Sequence, residues 1–510
     1  MSLKKFLNKI MSRLFVVSFA IFVQFSIVVF CLVFLSVSQQ AVYFTFRILS
    51  LLVVVWIVSK WDNPSFKLPW VIMILALPVV GGIFYLLWGN KRLPHKMKRR
   101  LTEFYDNTLS KIKVDSGCEI GLEAQDRQLS AMSNYLKYTT GFPAWENTAS
   151  EFFSLGDEKL PRLLEELEKA EKFILLEYFI ISPGLMWDSV LAVLQNRLRA
   201  GVEVKILFDD IGCIATLPPR YDEYLRSLGF QVTVFNPYEP HLNMSMNYRD
   251  HRKICVIDGN VGFCGGANLA DEYINALPRF GHWKDTAVML KGDGVWNLTL
   301  MFLTLWEFSN PDVKIQYGRY VPTVQCRSDG FVQPFGDSPL DNINVAETLY
   351  LQAINRATDY LYLTTPYLVL DNEMITALST AAQSGVDVRL ILPGVPDKWY
   401  VHLISRSYYS QLIGDGVRIY EYQPGFMHAK ELVSDDKIAI VGTTNLDFRS
   451  FYLHFECGVG FYLSSMTQKV KRDVLDTLEV CREITSADTA KFPLWQRLIA
   501  GVFRLFAPLV

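Results

Sequence analysis

The sequence predicts an α/β fold made of two copies of one unit, preceded by hydrophobic helices. The first observation is a pattern that occurs twice, as HRKICVIDGNVGFCGGAN from His251 and as HAKELVSDDKIAIVGTTN from His428. Both copies read His-x-Lys, then Asp five residues after the lysine, then two small residues and Asn. Because two matches at identical spacing are not a coincidence, we expect an internal duplication with a pseudo-two-fold axis.

The second observation is a longer repeat around each motif. LLEELEKAEKFILLEYFII at 163–181 resembles YLQAINRATDYLYLTTPYL at 350–368, and RAGVEVKILFDD at 199–210 resembles QSGVDVRLILPG at 383–394. GFQVTVFNP at 229–237 and GVRIYEYQP at 416–424 then lead into the two motifs. Each segment pairs an amphipathic helix with a strand rich in β-branched and aromatic residues. The alternation predicts mostly parallel sheets covered by helices.

Composition restricts the classes of function. A chain of 510 residues exceeds one ordinary core, which favours two domains or a pseudo-dimeric unit. Half of the residues are apolar and the formal net charge is only −2, which favours a membrane protein and disfavours nucleic acid as a partner. The eight cysteines have no CxxC or His/Cys metal spacing, so we expect reduced core residues.

Hydrophobic segments dominate the first ninety residues. Apolar stretches at about 14–36, 41–59 and 68–88 approach the roughly 20 residues that cross a bilayer. Basic residues flank both ends of this region, so the positive-inside rule leaves two or three spans open and favours a cytoplasmic catalytic region. The predicted organisation is a membrane anchor at 1–90, a basic flank and connector at 91–150, two similar halves at 151–325 and 326–485, and a C-terminal amphipathic helix at 486–510.

The C-terminal helix has two open interpretations. Apolar residues recur at helical spacing between Trp495 and Phe506, with Arg497 and Arg504 among them. Such a helix either docks on the core or lies in the interface of a bilayer. The hydrophobic N-terminal region makes both interpretations equally reasonable.

The doubled motif predicts chemistry on a phosphodiester. Strand alternation places His251 and Lys253 on one face, and it does the same for His428 and Lys430. Lysine is not a zinc ligand, so we expect neither a metal nor a cofactor; a cationic pair of this kind suits an anion. One histidine would attack phosphorus and the other would act as the general acid and base, so a single copy would be insufficient.

Other motif positions carry open assignments. Asp258 and Asp435 resemble turn residues that tie down the chain after a strand. The small residues at 265–266 and 442–443 favour close backbone packing. Asp285 and Glu456 follow the histidine of their own half by 34 and 28 residues. Each would either orient that histidine or form a surface salt bridge.

These residues together resemble the bacterial cardiolipin synthases of the phospholipase D superfamily. The resemblance runs from about residue 48 to the C-terminus and includes an N-terminal stretch at 63–90. Its most specific parts are EYFII at 177–181, NYRDHRKICVIDG at 247–259, GGANLADEY at 265–273, HWKDT at 282–286, TTPYLVLDN at 364–372, GFMHAKELVSDD at 425–436 and NLDFRSFYLHFE at 445–456. Thr443 departs from the serine that is usual in the family.

The resemblance implies two phospholipase D-like units that carry out phosphatidyl transfer. Two phosphatidylglycerol molecules would give cardiolipin and glycerol through a phosphatidyl-histidine intermediate. The implied assignments are catalytic residues His251, Lys253, Asp258, His428, Lys430 and Asp435, with His251 as the nucleophile, phosphate-binding residues Asn268 and Asn445, and His-orienting residues Asp285 and Glu456.

Several functions and partners follow from this interpretation. The expected partners are phosphatidylglycerol, other anionic phospholipids and the bacterial plasma membrane, crossed several times, with no nucleic acid; homo-oligomer formation stays open. A membrane-anchored phospholipase D that hydrolyses phospholipids is the alternative enzyme. A nuclease and an inactive lipid-binding scaffold are weaker alternatives, because the charge is not basic and both motifs are complete.

Overall fold

The structure is a computed structural model that describes residues 40–61, 63–77, 116–238, 247–327, 329–340 and 343–509, with isolated positions at 26, 81–82, 84–85 and 89. The predicted apolar segment at 14–36 lies outside the described residues except for position 26, and most of 78–115 is also outside them. Within the described ranges, no helix has both the length and the apolar character that crossing a membrane requires.

The helices divide into an N-terminal pair, the helices of the two halves and a C-terminal pair. In chain order they are α1 (Gln40–Val58), α2 (Pro64–Ala76), α3 (Ser116–Gln125), α4 (Arg127–Thr140), α5 (Gly156–Glu168), α6 (Leu185–Arg199), α7 (Asp210–Cys213), α8 (Tyr221–Ser227), α9 (Val295–Ser309), α10 (Val345–Arg356), α11 (Asn372–Gln383), α12 (Trp399–Gly414), α13 (Phe448–Tyr452), α14 (Ser465–Leu478), α15 (Ser486–Ala490) and α16 (Leu494–Phe506).

The strands build one large sheet in each half and a short pair between the halves. They are β1 (Thr148–Phe153), β2 (Phe173–Tyr178), β3 (Glu203–Asp209), β4 (Gln231–Phe235), β5 (Arg249–Asp250), β6 (Lys253–Ile257), β7 (Val261–Gly265), β8 (His282–Lys284), β9 (Ala287–Gly292), β10 (Phe331–Asp337), β11 (Tyr360–Thr364), β12 (Asp387–Pro393), β13 (Arg418–Tyr422), β14 (Gly425–Met427), β15 (Glu431–Ser434), β16 (Ile438–Gly442), β17 (His454–Tyr462) and β18 (Cys481–Ile484).

The two large sheets have the same strand order. The first is β1-β9-β7-β6-β2-β3-β4, and the second is β10-β17-β16-β15-β11-β12-β13-β18, which adds one strand at the edge. In each sheet the motif strand, β6 or β15, stands next to the first strand after the opening helix. The predicted α/β fold and its internal duplication are therefore confirmed. His251 and His428 lie just before these strands and not within them, in contrast to the predicted placement.

The expectation of mostly parallel sheets is wrong. Only the β2-β3-β4 and β11-β12-β13 neighbours run parallel in the two large sheets, joined by helical crossovers. The motif strands pair antiparallel on both sides. The reason is the tight turn after each motif strand, where Asp258 and Gly259 adopt positive φ values of 53° and 71° and send the chain straight back as β7.

The hydrophobic core between the two sheets contains α9. Its sequence VWNLTLMFLTLWEFS is buried on all sides from Val295 to Glu307, as expected for a helix that is apolar around its whole circumference. One buried cluster joins this helix to strands of both sheets. The two halves therefore share a continuous core, and their relative position is fixed by apolar packing.

Part of the predicted connector at 91–150 is folded into the second half. Helix α4 begins at the N-cap Asp126, whose carboxylate accepts from two backbone N–H groups, and ends at Gly141 in the left-handed conformation. Its apolar face, including Met132 and Leu136, is buried in the core of the second half. The sequence of this segment is polar on its other face, which explains why it resembled a linker.

The N-terminal and C-terminal helices meet on the second half. Phe66 of α2 packs edge-on against Phe448 and Tyr452, and the side chain of Asn63 donates to Asp371 and Tyr452. Helix α16 packs on α12 and also contacts α2. Ala500 of α16 is buried, so the helix docks on the core with one face, as one of the two interpretations predicted.

Candidate active site

Two short strand pairings between the halves build the centre of the site. The segment just before the first motif, β5, pairs in parallel with the start of β17 in the second half. The segment just before the second motif, β14, pairs in parallel with β8 of the first half. Each motif histidine therefore emerges beside a strand of the opposite half.

The His251 ring faces a carboxylate from the second half. Its Nδ1 lies 3.0 Å from both Oε1 and Oε2 of Glu456, and its backbone N–H donates to the carbonyl of Phe455. The ring of Phe179 contacts it edge-on with centroids 5.0 Å apart. Since a carboxylate is an acceptor, it favours the tautomer with hydrogen on Nδ1 and a lone pair on Nε2.

The His428 ring faces a carboxylate from the first half. Its Nδ1 lies 2.5 Å from Oδ2 of Asp285, and its backbone N–H donates to the carbonyl of Lys284. Tyr273, Trp283 and Phe426 surround the ring, with centroid distances of 5.5, 5.3 and 5.6 Å. The ammonium of Lys430 also lies 2.9 Å from Nδ1, so the acceptor Asp285 and the donor Lys430 both contact the same ring nitrogen.

The predicted partnership of each acid with the histidine of its own half is wrong. Glu456 lies beside His251, and Asp285 lies beside His428. The salt-bridge alternative at the surface is also wrong, because both carboxylates are completely buried. The exchange follows from the strand pairings between halves, which are formed by residues far apart in the chain and leave no signal in sequence spacing.

Lys253 and Lys430 are buried beside the histidines. Each ammonium group donates to the backbone carbonyl of the histidine two residues earlier. Burial lowers the pKa of Lys253 to about 7 and that of Lys430 to about 8. The two cations are thus held in a poorly solvated place, where an added anion would gain strong electrostatic stabilisation.

The two histidines are neutral in the free protein near pH 7. Burial, followed by the positive charge of Lys253, lowers the pKa of His251 well below its usual value. Burial and the charge of Lys430 lower the pKa of His428 to about 4. A neutral imidazole with a free Nε2 is the form that can act as a nucleophile or a base.

Asn268 and Asn445 have different surroundings. The side chain of Asn268 accepts from the backbone N–H of Ile180 at 2.9 Å and donates to the hydroxyl of Tyr273 at 2.7 Å. The Oδ1 atom of Asn445 is buried and has no hydrogen-bond partner among the described residues. Phosphate binding by both asparagines therefore stays a prediction, and Asn268 already helps to fix the loop after β2.

Asp258 and Asp435 act in the scaffold, so their catalytic assignment is wrong. The Asp258 carboxylate accepts from the backbone N–H groups of residues 171–173, and that of Asp435 accepts from residues 358–360. Each aspartate ties the turn after the motif strand to the start of the neighbouring strand. Each aspartate follows the motif lysine by five residues, which is roughly 16 Å along an extended strand. Its carboxylate is therefore too far from the motif histidine for a contact.

The small residues after each motif make room for the two acids. A Cβ atom at Gly266 would lie 2.0 Å from Oδ1 of Asp285, so only glycine fits there. At the equivalent position of the second half, Thr443 donates its hydroxyl to Glu456. The predicted close backbone packing is present, and the threonine also holds a carboxylate that is one methylene longer.

Several residues of this site were not predicted. His454 has its ring centroid 5.4 Å from that of His251, and Phe179 lies on the other side with the ammonium of Lys253 above it. Tyr273 and Trp283 line His428. The only usable signal in the sequence was alternation, because His454 stands two residues before Glu456 and therefore on the same face of β17.

The fold and the site define the class of phospholipase D-like phosphotransferases, with two His-x-Lys motifs on duplicated α/β units. The family model described as "Cardiolipin synthase, PLD-like domain" matches residues 163–277 and 350–476. The model described as "Phospholipase_D-nuclease N-terminal" matches residues 48–90. The chain belongs to the cardiolipin synthase family of the phospholipase D superfamily, the group that the sequence resembled.

Individual proteins support this membership over nearly the whole chain. A cardiolipin synthase of Alkalihalophilus pseudofirmus is 32% identical over 93% of this chain and 94% of its own length. A cardiolipin synthase of Geobacillus kaustophilus is 34% identical over 88% and 89%. The crystal structure of phosphatidylserine synthase from Haemophilus influenzae Rd KW20 has a TM-score of 0.57, 14% identity, and coverage of 75% of this chain and 98% of its own, which supports the fold.

Proposed function

We propose that the protein is a cardiolipin synthase that converts two phosphatidylglycerol molecules into cardiolipin and glycerol. The observation that carries the proposal is the pair of buried histidines, each with Nδ1 on a carboxylate of the opposite half. We infer that the Nε2 atoms of the two rings face one phosphorus atom of the bound substrate. The family membership agrees with this chemistry, because the relatives are cardiolipin synthases.

In the first step His251 attacks the phosphorus of one phosphatidylglycerol through Nε2. A bond forms between nitrogen and phosphorus, and the bond between phosphorus and the glycerol oxygen breaks. His428 donates a proton to that oxygen, and glycerol leaves. Glu456 stabilises the positive charge that the attacking ring acquires, because its carboxylate faces Nδ1.

In the second step a hydroxyl group of another phosphatidylglycerol replaces glycerol. His428, now neutral, takes the proton of that hydroxyl while the oxygen attacks phosphorus. The bond to His251 breaks, and cardiolipin is released. If water enters instead, the product is phosphatidic acid, so the fate of the intermediate distinguishes a synthase from a phospholipase.

The negative charge of the bound substrate raises the pKa of His428, so that the ring takes up a proton from solvent. The free protein keeps His428 neutral because burial and Lys430 lower its pKa to about 4. A bound phosphodiester adds a negative charge beside the ring, and a nearby opposite charge raises the pKa of an imidazole. Lys253 and Lys430 hold that phosphate and stabilise the charge that develops in the transition state. The side-chain N–H groups of Asn445 and Asn268 complete the proposed phosphate site, because they can donate to phosphate oxygens.

The proposed location is the bacterial plasma membrane, with the catalytic halves on the cytoplasmic face. The N-terminal helices and α16 present a group of exposed apolar side chains, and α16 contacts α2, so these surfaces adjoin. The exposed members are Ile48, Leu49, Leu51, Leu52, Val55, Trp56, Val58, Leu68, Ile72, Leu75, Leu77, Leu494, Trp495, Leu498, Ile499 and Val502. A lipid bilayer covers such a surface without exposing it to water.

The test is a product assay on the purified full-length protein in detergent with phosphatidylglycerol labelled in its headgroup and its acyl chains. We expect one glycerol released for each cardiolipin formed, and loss of turnover in His251→Ala. Phosphatidic acid as the main product would show that the protein is a phospholipase and not a synthase. Undiminished turnover in His251→Ala would contradict the phosphohistidine mechanism.

A further inference from the structure

We propose that His251, His454 and Glu456 form a binding site for a transition-metal dication such as Zn²⁺, and that the bound ion inhibits the enzyme. The site shares His251 and Glu456 with the proposed phosphatidyl transfer and adds His454, which has no part in that reaction. Binding is independent of the reaction, whereas the inhibition rests on the proposed function. A metal there would compete with catalysis and is not a cofactor.

The geometry of the three side chains suits a small tetrahedral ion. The Nδ1 atom of His251 lies 3.0 Å from the Glu456 carboxylate, and the Nδ1 atom of His454 lies 3.6 Å from its Oε1. One ligand atom from each residue lies within 4.8 Å of the other two. Ligands about 2.0–2.1 Å from zinc are separated by roughly 3.4 Å in a tetrahedron, so small side-chain rotations suffice.

The imidazole of His454 has a buried nitrogen, Nδ1, that has no role in the proposed reaction. Its side chain is about nine-tenths buried, and its Nδ1 has no hydrogen-bond partner among the described residues. A buried polar atom without a partner costs free energy, which a metal bond at this position would relieve. Strand β17 aims the ring at the same side as Glu456, since the two residues are two positions apart.

The ion would inhibit by changing which nitrogen of His251 carries hydrogen. In the catalytic form Nδ1–H donates to Glu456 and Nε2 keeps its lone pair. A metal on Nδ1 uses the lone pair of that atom, so the proton of the neutral ring moves to Nε2 through solvent. A protonated Nε2 has no lone pair for phosphorus, and Glu456 is occupied by the metal.

The lysines set a limit on the affinity. Lys253 and Lys430 are cations next to the histidines and repel a dication. We therefore expect reversible binding that a chelator removes. With three protein ligands, water or a substrate oxygen would complete the coordination, as in zinc sites that keep an open position.

The experiment measures Zn²⁺ binding directly, on untagged full-length protein in detergent, by competition with a coloured chelator. His454→Asn and His454→Leu both remove the imidazole ligand, and the leucine side chain has no atom that can coordinate a metal. His402→Asn is the matched control, since His402 also stands beside a carboxylate, with Nε2 4.0 Å from Glu421, but away from the site. Thermal melting without metal establishes that each variant is folded.

We expect the wild type and His402→Asn to bind one Zn²⁺ and both His454 variants to bind it at least about 10-fold more weakly. Zinc should inhibit cardiolipin formation in the wild type, EDTA should restore it, and His454→Asn should be correspondingly resistant. Equal affinity in folded His454 variants would overturn the site. Tight, His454-dependent binding of Zn²⁺ without loss of activity would overturn the proposed inhibition. A protein that makes no cardiolipin but binds zinc through His454 would refute the proposed function while leaving the site intact.

Discussion

The exchange of carboxylates between the halves gives the sharpest test of this active site. Replacing Glu456 by Gln keeps the shape of the side chain and removes the charge that faces Nδ1 of His251. Replacing Asp285 by Asn does the same for His428. We expect each acid variant to behave like the variant of the histidine that it contacts, and not like the variant of the histidine in its own half.

The expected fall in kcat follows from the strength of the hydrogen bond between each acid and the histidine it contacts. A hydrogen bond to a charged group contributes about 1.5–3 kcal/mol, and about 1.36 kcal/mol corresponds to a tenfold change in rate. If that contribution is gained as the imidazole becomes positively charged, kcat falls by roughly 10- to 150-fold. Both oxygens of Glu456 lie 3.0 Å from Nδ1, so its variant should fall near the upper limit.

The assay compares two leaving groups. Phosphatidylglycerol needs a general acid to release glycerol, whereas phosphatidyl-p-nitrophenol releases a stabilised phenolate that needs little protonation. The nitrophenyl substrate should restore the first-turnover burst of nitrophenolate in His428→Ala and Asp285→Asn, whose second step stays slow because it still lacks its base. The burst should stay slow in His251→Ala and Glu456→Gln. If His428 is the nucleophile, the results reverse: the nitrophenyl substrate then rescues His251→Ala and Glu456→Gln and leaves the other two variants slow. A rescue that groups Glu456→Gln with His428→Ala would refute the pairing itself.

Four further predictions follow from the structure. Asp258→Ala should lower the free energy of unfolding by about 2 kcal/mol in a denaturant titration, because it removes the acceptor of three backbone N–H groups; unchanged stability with lost kcat would contradict a scaffold role. Gly266→Ala should lower kcat as Asp285→Asn does, since its Cβ would meet Oδ1 of Asp285 at 2.0 Å; wild-type kcat would show that Asp285 can move freely. The pH profile of kcat/KM should fall between about pH 7 and 8 as Lys253 and Lys430 lose their protons, and a constant value up to pH 9 would exclude them as the required cations. The double variant Trp495→Ser, Leu498→Ser should bind phosphatidylglycerol vesicles at least about 10-fold more weakly in flotation, while Leu475→Ser on α14 should bind normally; equal loss in both would argue against α16 as a membrane contact.

The low resting pKa of His428 has a consequence for the order of events. Because the ring is neutral until a phosphodiester arrives, the general acid is charged by its own substrate. In the proposed steps His428 gives one proton to the departing glycerol and then takes a second proton from the incoming hydroxyl. In the proposed mechanism burial keeps His251 neutral for attack, and the bound substrate offsets the effect of burial on His428.

The sequence by itself determined the duplication and the two His-x-Lys motifs. Identical spacing of His251 with Lys253 and of His428 with Lys430 is a local property, although the histidines lie just before the strands and not on them. The same holds for the α/β class, since the periodicity of helices and strands is encoded over short windows. The Asp258 turn was also predicted as structural from its immediate neighbours, although the family resemblance assigned it to catalysis.

Only the tertiary structure decided which groups meet. The partnership of Glu456 with His251 depends on the pairing of β5 with β17, which joins residues about two hundred positions apart. Antiparallel pairing of the motif strands, the burial of α4 in the second half and the position of His454 beside His251 are likewise long-range outcomes. They depend on which surfaces bury the most apolar area together, and spacing along one chain carries no information about that choice.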